Sequence, residues 1–483
     1  MPTRADPLAA VAAWLRADPA FRSRLRPVRR RHAAAAATED DGADDSADRG
    51  LVAQADLAVG DEVLAVPLGR LVTPAVVAAD TAWGRAVHAA GAALTAIQWL
   101  VLFLTVAGDP AAPAVDDLRA AWGPYLATLP ATFAGCPGHS QYPADLLAVA
   151  GALHPAAVEH GVGRLRRVRA ADEAAVRGAL AAAAPRLGCP DYAPPAAVLE
   201  WAWWAVNTRC ISCNIPGRGG AAGVPAGIAL APYLDLLNHS ADAQTAPVVD
   251  RERGVFLLHA LEPVRAGDEF FISYGPHDNG QLWTEYGFII PDHPHEQVDA
   301  MPALERLVRP PDRSAAASNK DAPPPSPLLA ARQAAWARVQ QLGLARDLGW
   351  SAADSGEPTW ALWRTVCALA WAEVAATAAV AAGGRPAARA AVRSPPSAVD
   401  LSKEEALAVF LLGSTDDVPA AVAARARATL HAMASFLLKG LDAGAAAARA
   451  LPAADDPRVA DLWRWHDARR AILHRALAHL ADN

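Results

Sequence analysis

The stretch from Ile228 to Pro291 constrains this chain more than any other. It reads IALAPYLDLLNHSADAQTAPVV, then a charged turn, then VFLLHALEPVRAGDEFFISYGPHDNGQLWTEYGFIIP. Two short apolar runs each end in a polar cluster: Asp235, Asn238, His239 and Ser240 after the first, Ser273, Tyr274 and Asn279 after the second. A plain core strand has no use for such clusters. Phe256 to Leu258 and Phe270 to Ile272 are expected to be strands, and the turn Arg265-Ala266-Gly267-Asp268 supplies a glycine where positive φ is needed. Two polar clusters at neighbouring strand ends make a site.

Asp235-Leu236-Leu237-Asn238-His239-Ser240, then Gly267-Asp268-Glu269-Phe270-Phe271-Ile272-Ser273-Tyr274-Gly275, then Tyr286-Gly287-Phe288 resemble the two signature segments of a SET-domain methyltransferase. More narrowly, they resemble the branch of the Rubisco large-subunit lysine methyltransferase and the actin-histidine methyltransferase. The resemblance implies an α+β fold: a SET β-fold with a pseudoknot and a helical insertion, followed by an all-α C-terminal domain that binds substrate. It also implies S-adenosylmethionine as cofactor and a protein as substrate.

A chain of 483 residues suggests two or three domains. With 53% hydrophobic and 20% charged residues, most of it can bury a core. The longest apolar run, Ala92 to Ala107, is interrupted by Gln98 and is too short to span a bilayer, so no membrane partner is expected. A net charge of −7 argues against non-specific nucleic-acid binding. The basic run Arg26 to His32 is read as a solvated helix end. A monomer is expected.

The cysteines Cys136, Cys189, Cys210, Cys213 and Cys367 are odd in number and irregular in spacing, which suits a reducing compartment. Cys210-Ile211-Ser212-Cys213 has redox or zinc spacing but no second pair at finger distance, and no metal site is expected. The N-terminus lacks a signal-peptide pattern, and Leu8 to Leu15 is read as an ordinary amphipathic helix rather than a transit peptide. The expected location is cytoplasmic, with chloroplast or nucleus as alternatives.

Along the chain, Pro7 to Phe21 has helical spacing, and Thr38 to Asp48 is an acidic low-complexity segment; together residues 1–48 precede the main domain. That domain is expected over 49–291. Arg49 to Ala53 and Leu57 to Pro67, separated by Gly60-Asp61, predict a hairpin. From about 72 to 199 the strand signal gives way to helices over Ala93–Leu104, Pro143–Leu153 and Ala170–Ala184, with Trp122-Gly123-Pro124-Tyr125-Leu126 as punctuation between them. Leu199 to Arg209 is a further helix, and Gly217 to Gly223 a loop beside the site. Residues 292–327, rich in Pro, Ser and charge from Arg309 onward, form a linker. Residues 328–483 carry helices over Leu328–Leu344, Thr359–Ala381, Lys403–Leu412, Ala420–Leu441 and Val459–Leu480, with Trp336, Trp363, Trp371 and Trp463 packing in their core.

Methyl transfer from a sulfonium to nitrogen needs a neutral amine, a dry pocket and accurate aim more than a strong base. By the resemblance, Tyr274 is the catalytic hydroxyl beside the transferring methyl. Asn238 and His239 hold the adenosyl part, with Tyr274 and Arg209 lining the same pocket. The turn before Gly50 departs from the family pattern, reading Ala47-Asp48-Arg49; Asp48, Arg49 and Gly50 are the cofactor-binding residues expected there, with Asp48 the nearest acidic partner for the cofactor's amino group. Tyr286 and Phe288 form the aromatic wall of the acceptor channel, and Thr208, Arg209 and Asp235 fix its mouth.

The plainer readings remain for each residue alone: a hydrogen-bonded structural His, a core Tyr, a capped helix at Arg209, and solvated His293 and His295. Their joint order favours an S-adenosylmethionine-dependent protein-lysine N-methyltransferase acting on a non-histone protein. Ile211, apolar and just past Arg209, suits an alkyl chain. The alternatives are protein-histidine methylation and a catalytically silent SET-like protein that binds a partner.

Overall fold

The computed structural model describes residues 6–29, 49–213, 223–243, 245–309, 326–353, 355–381, 418–452 and 456–482. Asp48 and the acidic stretch before it, Gly217 to Ala222, most of the Pro-rich linker and the Lys403–Leu412 helix lie outside the described residues. The chain divides into two compact units, Met1–Pro143 with Ala156–Phe288, and Ala144–Pro155 with Ile289–Asn483.

The first unit opens with the helix Pro7–Arg16, capped by Asp6 and burying Leu8, Val11 and Leu15. Its strands are β1 (Arg22–Ser23), β2 (Leu25–Arg29), β3 (Arg49–Ala53), β4 (Glu62–Pro67), β5 (Cys210–Cys213), β6 (Gly227–Leu230), β7 (Thr245–Asp250) and β8 (Val255–Ala260). They form an antiparallel sheet in the order β1-β4-β8-β7 and two antiparallel pairs, β2-β3 and β5-β6.

Two sequence expectations are corrected here. The hairpin across Gly60-Asp61 does not form: β3 pairs backward with β2, whereas β4 pairs with β8, Leu64 opposite Leu258 and Val66 opposite Phe256. Alternation sets which face of a strand is buried but not which strand lies beside it. Gly60 does make a turn, at φ 86°, and Leu57 bridges to Val264 instead. The start of the basic run, Arg26 to Arg29, is strand and not a helix end, because Pro27 disfavours helix while Leu25 and Val28 pair opposite Ala53 and Gly50.

Between β4 and β5 the chain is helical: Pro74–Asp80, Ala82–Ala89, Ala96–Gly108, Asp116–Leu126, Gly163–Ala183 and Ala196–Arg209. Ala96–Gly108 starts on a capping box, Thr95 with Gln98, and is buried on all sides from Trp99 to Ala107. Trp122 to Leu126 is no break between helices. It ends the helix Asp116–Leu126, which accommodates Pro124 in its last turn. Packing overrides the proline there: Trp122 lies against Trp14 and Phe103 at ring distances of 5.7 and 5.9 Å, and Tyr125 is fully buried.

The second unit contains β9 (Gln297–Asp299) paired with β10 (Gly349–Ser351), and the helices Met301–Val308, Pro327–Gln341, Trp360–Ala381, Ala420–Ala450 and Arg458–Asp482. Ala144–Leu153, within the stretch expected to be the insertion, belongs to this unit. Trp336, Trp363 and Trp371 pack only partly against its core; the buried tryptophans are Trp350 and Trp465. Glu373, nearly buried, joins three helices by accepting from Arg332 and Arg425. His293 is also buried, contrary to the solvated reading, while its neighbour His295 is half-buried.

Candidate active site

The segment from Gly267 to Tyr274 lies between two others, and that placement makes the site. On one side it bonds β3: Gly267 N–H donates to Ala53 O at 2.8 Å, Ala53 N–H to Asp268 O at 2.9 Å, and Phe270 N–H to Leu51 O at 2.9 Å. On the other it meets the Asn238-His239-Ser240 loop: Ile272 N–H donates to Asn238 O at 2.9 Å and Ser240 N–H to Ile272 O at 3.1 Å. His239 and Ile272 thus form a parallel bridge. A parallel contact between such chain segments requires a crossover connection.

Just beyond that bridge the second cluster folds over the first. Tyr274 N–H donates to His239 Nδ1 at 3.0 Å, and the Tyr274 hydroxyl donates to Leu237 O at 3.0 Å. The rings of His239 and Tyr274 stack at 5.1 Å. Tyr286 lies 4.9 Å from Tyr274, and Phe288 closes the group at 6.1 Å from Tyr286 and 6.5 Å from Tyr274. The helix Asn279–Tyr286 supplies Tyr286 and ends at Gly287, whose φ of 85° turns the chain so that Phe288 follows onto the same wall. Burial pushes the Tyr274 phenol up to about 12, and the Tyr286 phenol rises for the same reason.

Asn238 is anchored beside β3. Its amide donates to Arg49 O at 2.7 Å and to Glu269 Oε1 at 2.8 Å. Gly50 sits against that pair: a Cβ there would overlap the Glu269 carboxylate and crowd the Asn238 amide. Arg49 points its guanidinium elsewhere, Nη1 donating to Thr128 O at 2.9 Å. Gly50, Asn238, His239 and Tyr274 are therefore brought together, and Arg49 joins them through its carbonyl.

Arg209 and Asp235 form the other flank. Arg209 ends the helix Ala196–Arg209; its Nη1 donates to Asp235 O at 2.7 Å and lies 4.0 Å from Asp235 Oδ2. Burial raises the Asp235 carboxyl above its usual range, although Arg209 and a hydrogen bond from Tyr125 oppose the shift. Thr208 is less engaged, because its hydroxyl donates back to Trp204 O at 2.8 Å within its own helix. Ile211 is half-buried on β5, opposite Ala229. Cys210 and Cys213 on that strand are free thiols, each pushed up to about 11 by burial and so protonated at neutral pH.

Sequence reasoning missed two residues. Glu269 was visible only as part of a motif, yet its carboxylate holds Asn238. Tyr125 was read as loop punctuation, yet its hydroxyl donates to Asp235 Oδ2 at 3.0 Å. A tyrosine beside a helix-ending proline gives no signal of a partner 110 residues away.

This arrangement agrees with the resemblance to SET domains, and residues 48–275 match the family described as SET domain. Over 100 residues it is 42% identical to human SET domain-containing protein 4, a match covering 21% of this chain and 23% of that protein. Over 109 residues it is 35% identical to the ribosomal lysine N-methyltransferase set11 of Schizosaccharomyces pombe, covering 23% of this chain and 26% of that protein. The matched stretch thus spans about a quarter of these relatives. Among solved structures, the SET domain of LSMT bound to lysine and AdoHcy superposes with a TM-score of 0.59 at 14% identity, over 100% of this chain and 92% of that one. Rubisco LSMT bound to sinefungin and monomethyllysine gives 0.59 at 14% identity, over 99% and 92%. At that identity the likeness establishes the fold.

Proposed function

We propose that this chain is an S-adenosylmethionine-dependent protein-lysine N-methyltransferase acting on a non-histone protein. The observation that carries the reading is the hydroxyl of Tyr274 on the carbonyl of Leu237, at the meeting of the Asn-His loop and the aromatic wall. The relatives named as ribosomal lysine methyltransferases, and the lysine-bound structures of the same fold, support lysine over histidine.

The donor set fits the cofactor. S-adenosylmethionine, when bound, supplies a sulfonium methyl for in-line displacement by nitrogen. Asn238 and His239 would hold it through main-chain groups, with Gly50 keeping the β3 end close against Glu269 and Asn238. The Leu237 carbonyl and the Tyr274 hydroxyl would offer oxygen partners to a polarised methyl. With its phenol at about 12, Tyr274 stays neutral at working pH, so it orients and polarises and does not serve as a phenolate base. The amine reaches the pocket along Tyr286 and Phe288, whose faces tolerate a cation and strip it of water. Holding donor and acceptor in such an arrangement lowers the barrier by roughly 7 to 11 kcal/mol.

The reading extends to the surroundings. The odd number and irregular spacing of the five cysteines suit a reducing compartment, and a cytoplasmic location is part of the proposal. No described helix is long and apolar enough to cross a membrane. The proposed partner is a protein substrate met by a monomer, with no nucleic acid involved. Incubation with isotope-labelled S-adenosylmethionine and a cell lysate, followed by mass-spectrometric mapping, tests it: label on lysine supports the reading, and label on histidine replaces it.

A further inference from the structure

A single π-turn, Ala157–Val162, runs into the helix Gly163–Ala183. Such turns are rare and tend to mark functional sites. This one packs on the helix Asn279–Tyr286, which brings Tyr286 to the aromatic wall. The approach is closest at Gly161, where a Cβ would stand 2.8 Å from Cγ2 of Thr284. Thr284 is buried, and its hydroxyl is tied to Gly280 O at 2.8 Å and Gln281 O at 3.2 Å, so its methyl group stays against Gly161. Glu285 accepts from Arg164 at 3.2 Å, a second tie between the same two stretches of chain. Each residue of a helix advances by about 100°, so residues two apart point to nearly opposite sides. With Thr284 against the π-turn, Tyr286 faces away from it, toward Tyr274, whose ring lies 4.9 Å off.

We propose that Gly161 is a positioning residue of the acceptor pocket. Its missing side chain lets the helix Asn279–Tyr286 settle against the π-turn, which sets how far Tyr286 stands from Tyr274 and so how bulky an acceptor nitrogen is admitted. This rests on the lysine reading above. The backbone does not call for glycine here, because Gly161 is not among the residues of positive φ, and in a helical turn alanine is the better residue. What calls for glycine is the contact with Thr284. A side chain at position 161 would press on the side of the helix opposite Tyr286 and drive that ring toward Tyr274.

The test is Gly161→Ala, with L-lysine and N6,N6-dimethyl-L-lysine as probes, each titrated calorimetrically into protein saturated with S-adenosylhomocysteine. Dimethyllysine is expected to lose roughly tenfold more affinity than lysine, the effect of a methyl-sized change in a pocket. Both probes meet the same protein, so a plain folding defect cancels from their ratio. Thr284→Ser removes the methyl group that the new Cβ would meet and keeps the hydroxyl; combined with Gly161→Ala it should return the ratio to the wild-type value. Alone, Thr284→Ser should shift the ratio toward dimethyllysine, which covers a poorly folding Gly161→Ala variant. A second reading needs no acceptor: in protein containing 3-fluorotyrosine, the 19F resonance of Tyr286, assigned through Tyr286→Phe, should move in Gly161→Ala and return in the double variant. Equal losses for both probes, a ratio that Thr284→Ser leaves unmoved, or an unmoved Tyr286 resonance overturns the proposal. If wild-type protein binds S-adenosylhomocysteine but neither probe, the lysine reading fails, while the 19F spectra still decide whether Gly161 governs Tyr286.

Discussion

The main-chain N–H of Tyr274 donates to Nδ1 of His239 at 3.0 Å while their rings stack at 5.1 Å. Because Nδ1 accepts, a neutral His239 carries its proton on Nε2. The bond ties the two signature segments at Tyr274, so under the proposed function His239 would act through the backbone of the residue whose hydroxyl is aimed at the methyl.

Tyr274→Phe removes the hydroxyl that meets Leu237 O and keeps the ring stack. We expect kcat to fall about a hundredfold, with S-adenosylmethionine affinity within a few fold of wild type. Steady-state kinetics and calorimetry separate the two. Because the phenol lies at about 12, wild-type activity should show no loss from Tyr274 ionisation up to about pH 10.

Gly50→Ala places a methyl group into the Glu269 carboxylate and the Asn238 amide. Relieving that overlap costs about 1 to 3 kcal/mol and displaces the Asn238 side chain. The expected result is a lowered melting temperature together with at least about tenfold weaker cofactor binding, read by thermal shift with and without S-adenosylmethionine.

In the second unit, His154 is fully buried, stacked on Trp465 at 3.5 Å, with Nε2 3.1 Å from Leu462 O. Burial holds His154 well below the usual imidazole range, and Arg469 and His466 add to it; His466 is lowered too, mainly by burial, with Asp467 opposing and Arg470 and Arg469 assisting. The folded form binds fewer protons than the unfolded chain, so this stability is complete above the ordinary histidine value near about 6.5 and is lost as pH falls below it. Calorimetric melting should show a transition that drops between about pH 7.5 and 5, and His154→Gln should flatten the dependence.

Glu373→Ala leaves Arg332 and Arg425 without the nearly buried carboxylate that joins them. We expect a loss of about 3 kcal/mol in chemical denaturation, with Glu373→Gln intermediate because it retains hydrogen bonding without the charge.

The site was legible in the sequence because its residues sit in two short segments where polar side chains interrupt apolar runs, a pattern that packing alone does not produce. Tyr274, Asn238, His239, Tyr286 and Phe288 could be read there. Strand pairing could not: β3 and β4 alternate alike, and only the coordinates show that one joins β2 and the other β8. Tyr125 and Glu269 were missed for a related reason. Each acts through a single hydrogen bond to a residue distant in sequence, and local spacing carries no trace of such a partner. In the helical unit, periodicity located the described helices from Pro327 onward, but the helix Met301–Val308 and strand β9 fall in the stretch expected as linker, and identifying Trp350 and Trp465 as the buried tryptophans required the packing itself.

The account stands on a cofactor pocket formed where the Asn238 loop meets the segment from Gly267 to Tyr274, which makes isolated bridges in place of the strand expected over Phe270 to Ile272. Calorimetric titration of S-adenosylmethionine into the folded protein tests that meeting most directly. Saturable one-to-one binding, weakened by Gly50→Ala and retained by Tyr274→Phe, is the predicted result. A fully folded wild-type protein that takes up no S-adenosylmethionine would contradict it and leave a silent SET-like domain that binds a partner.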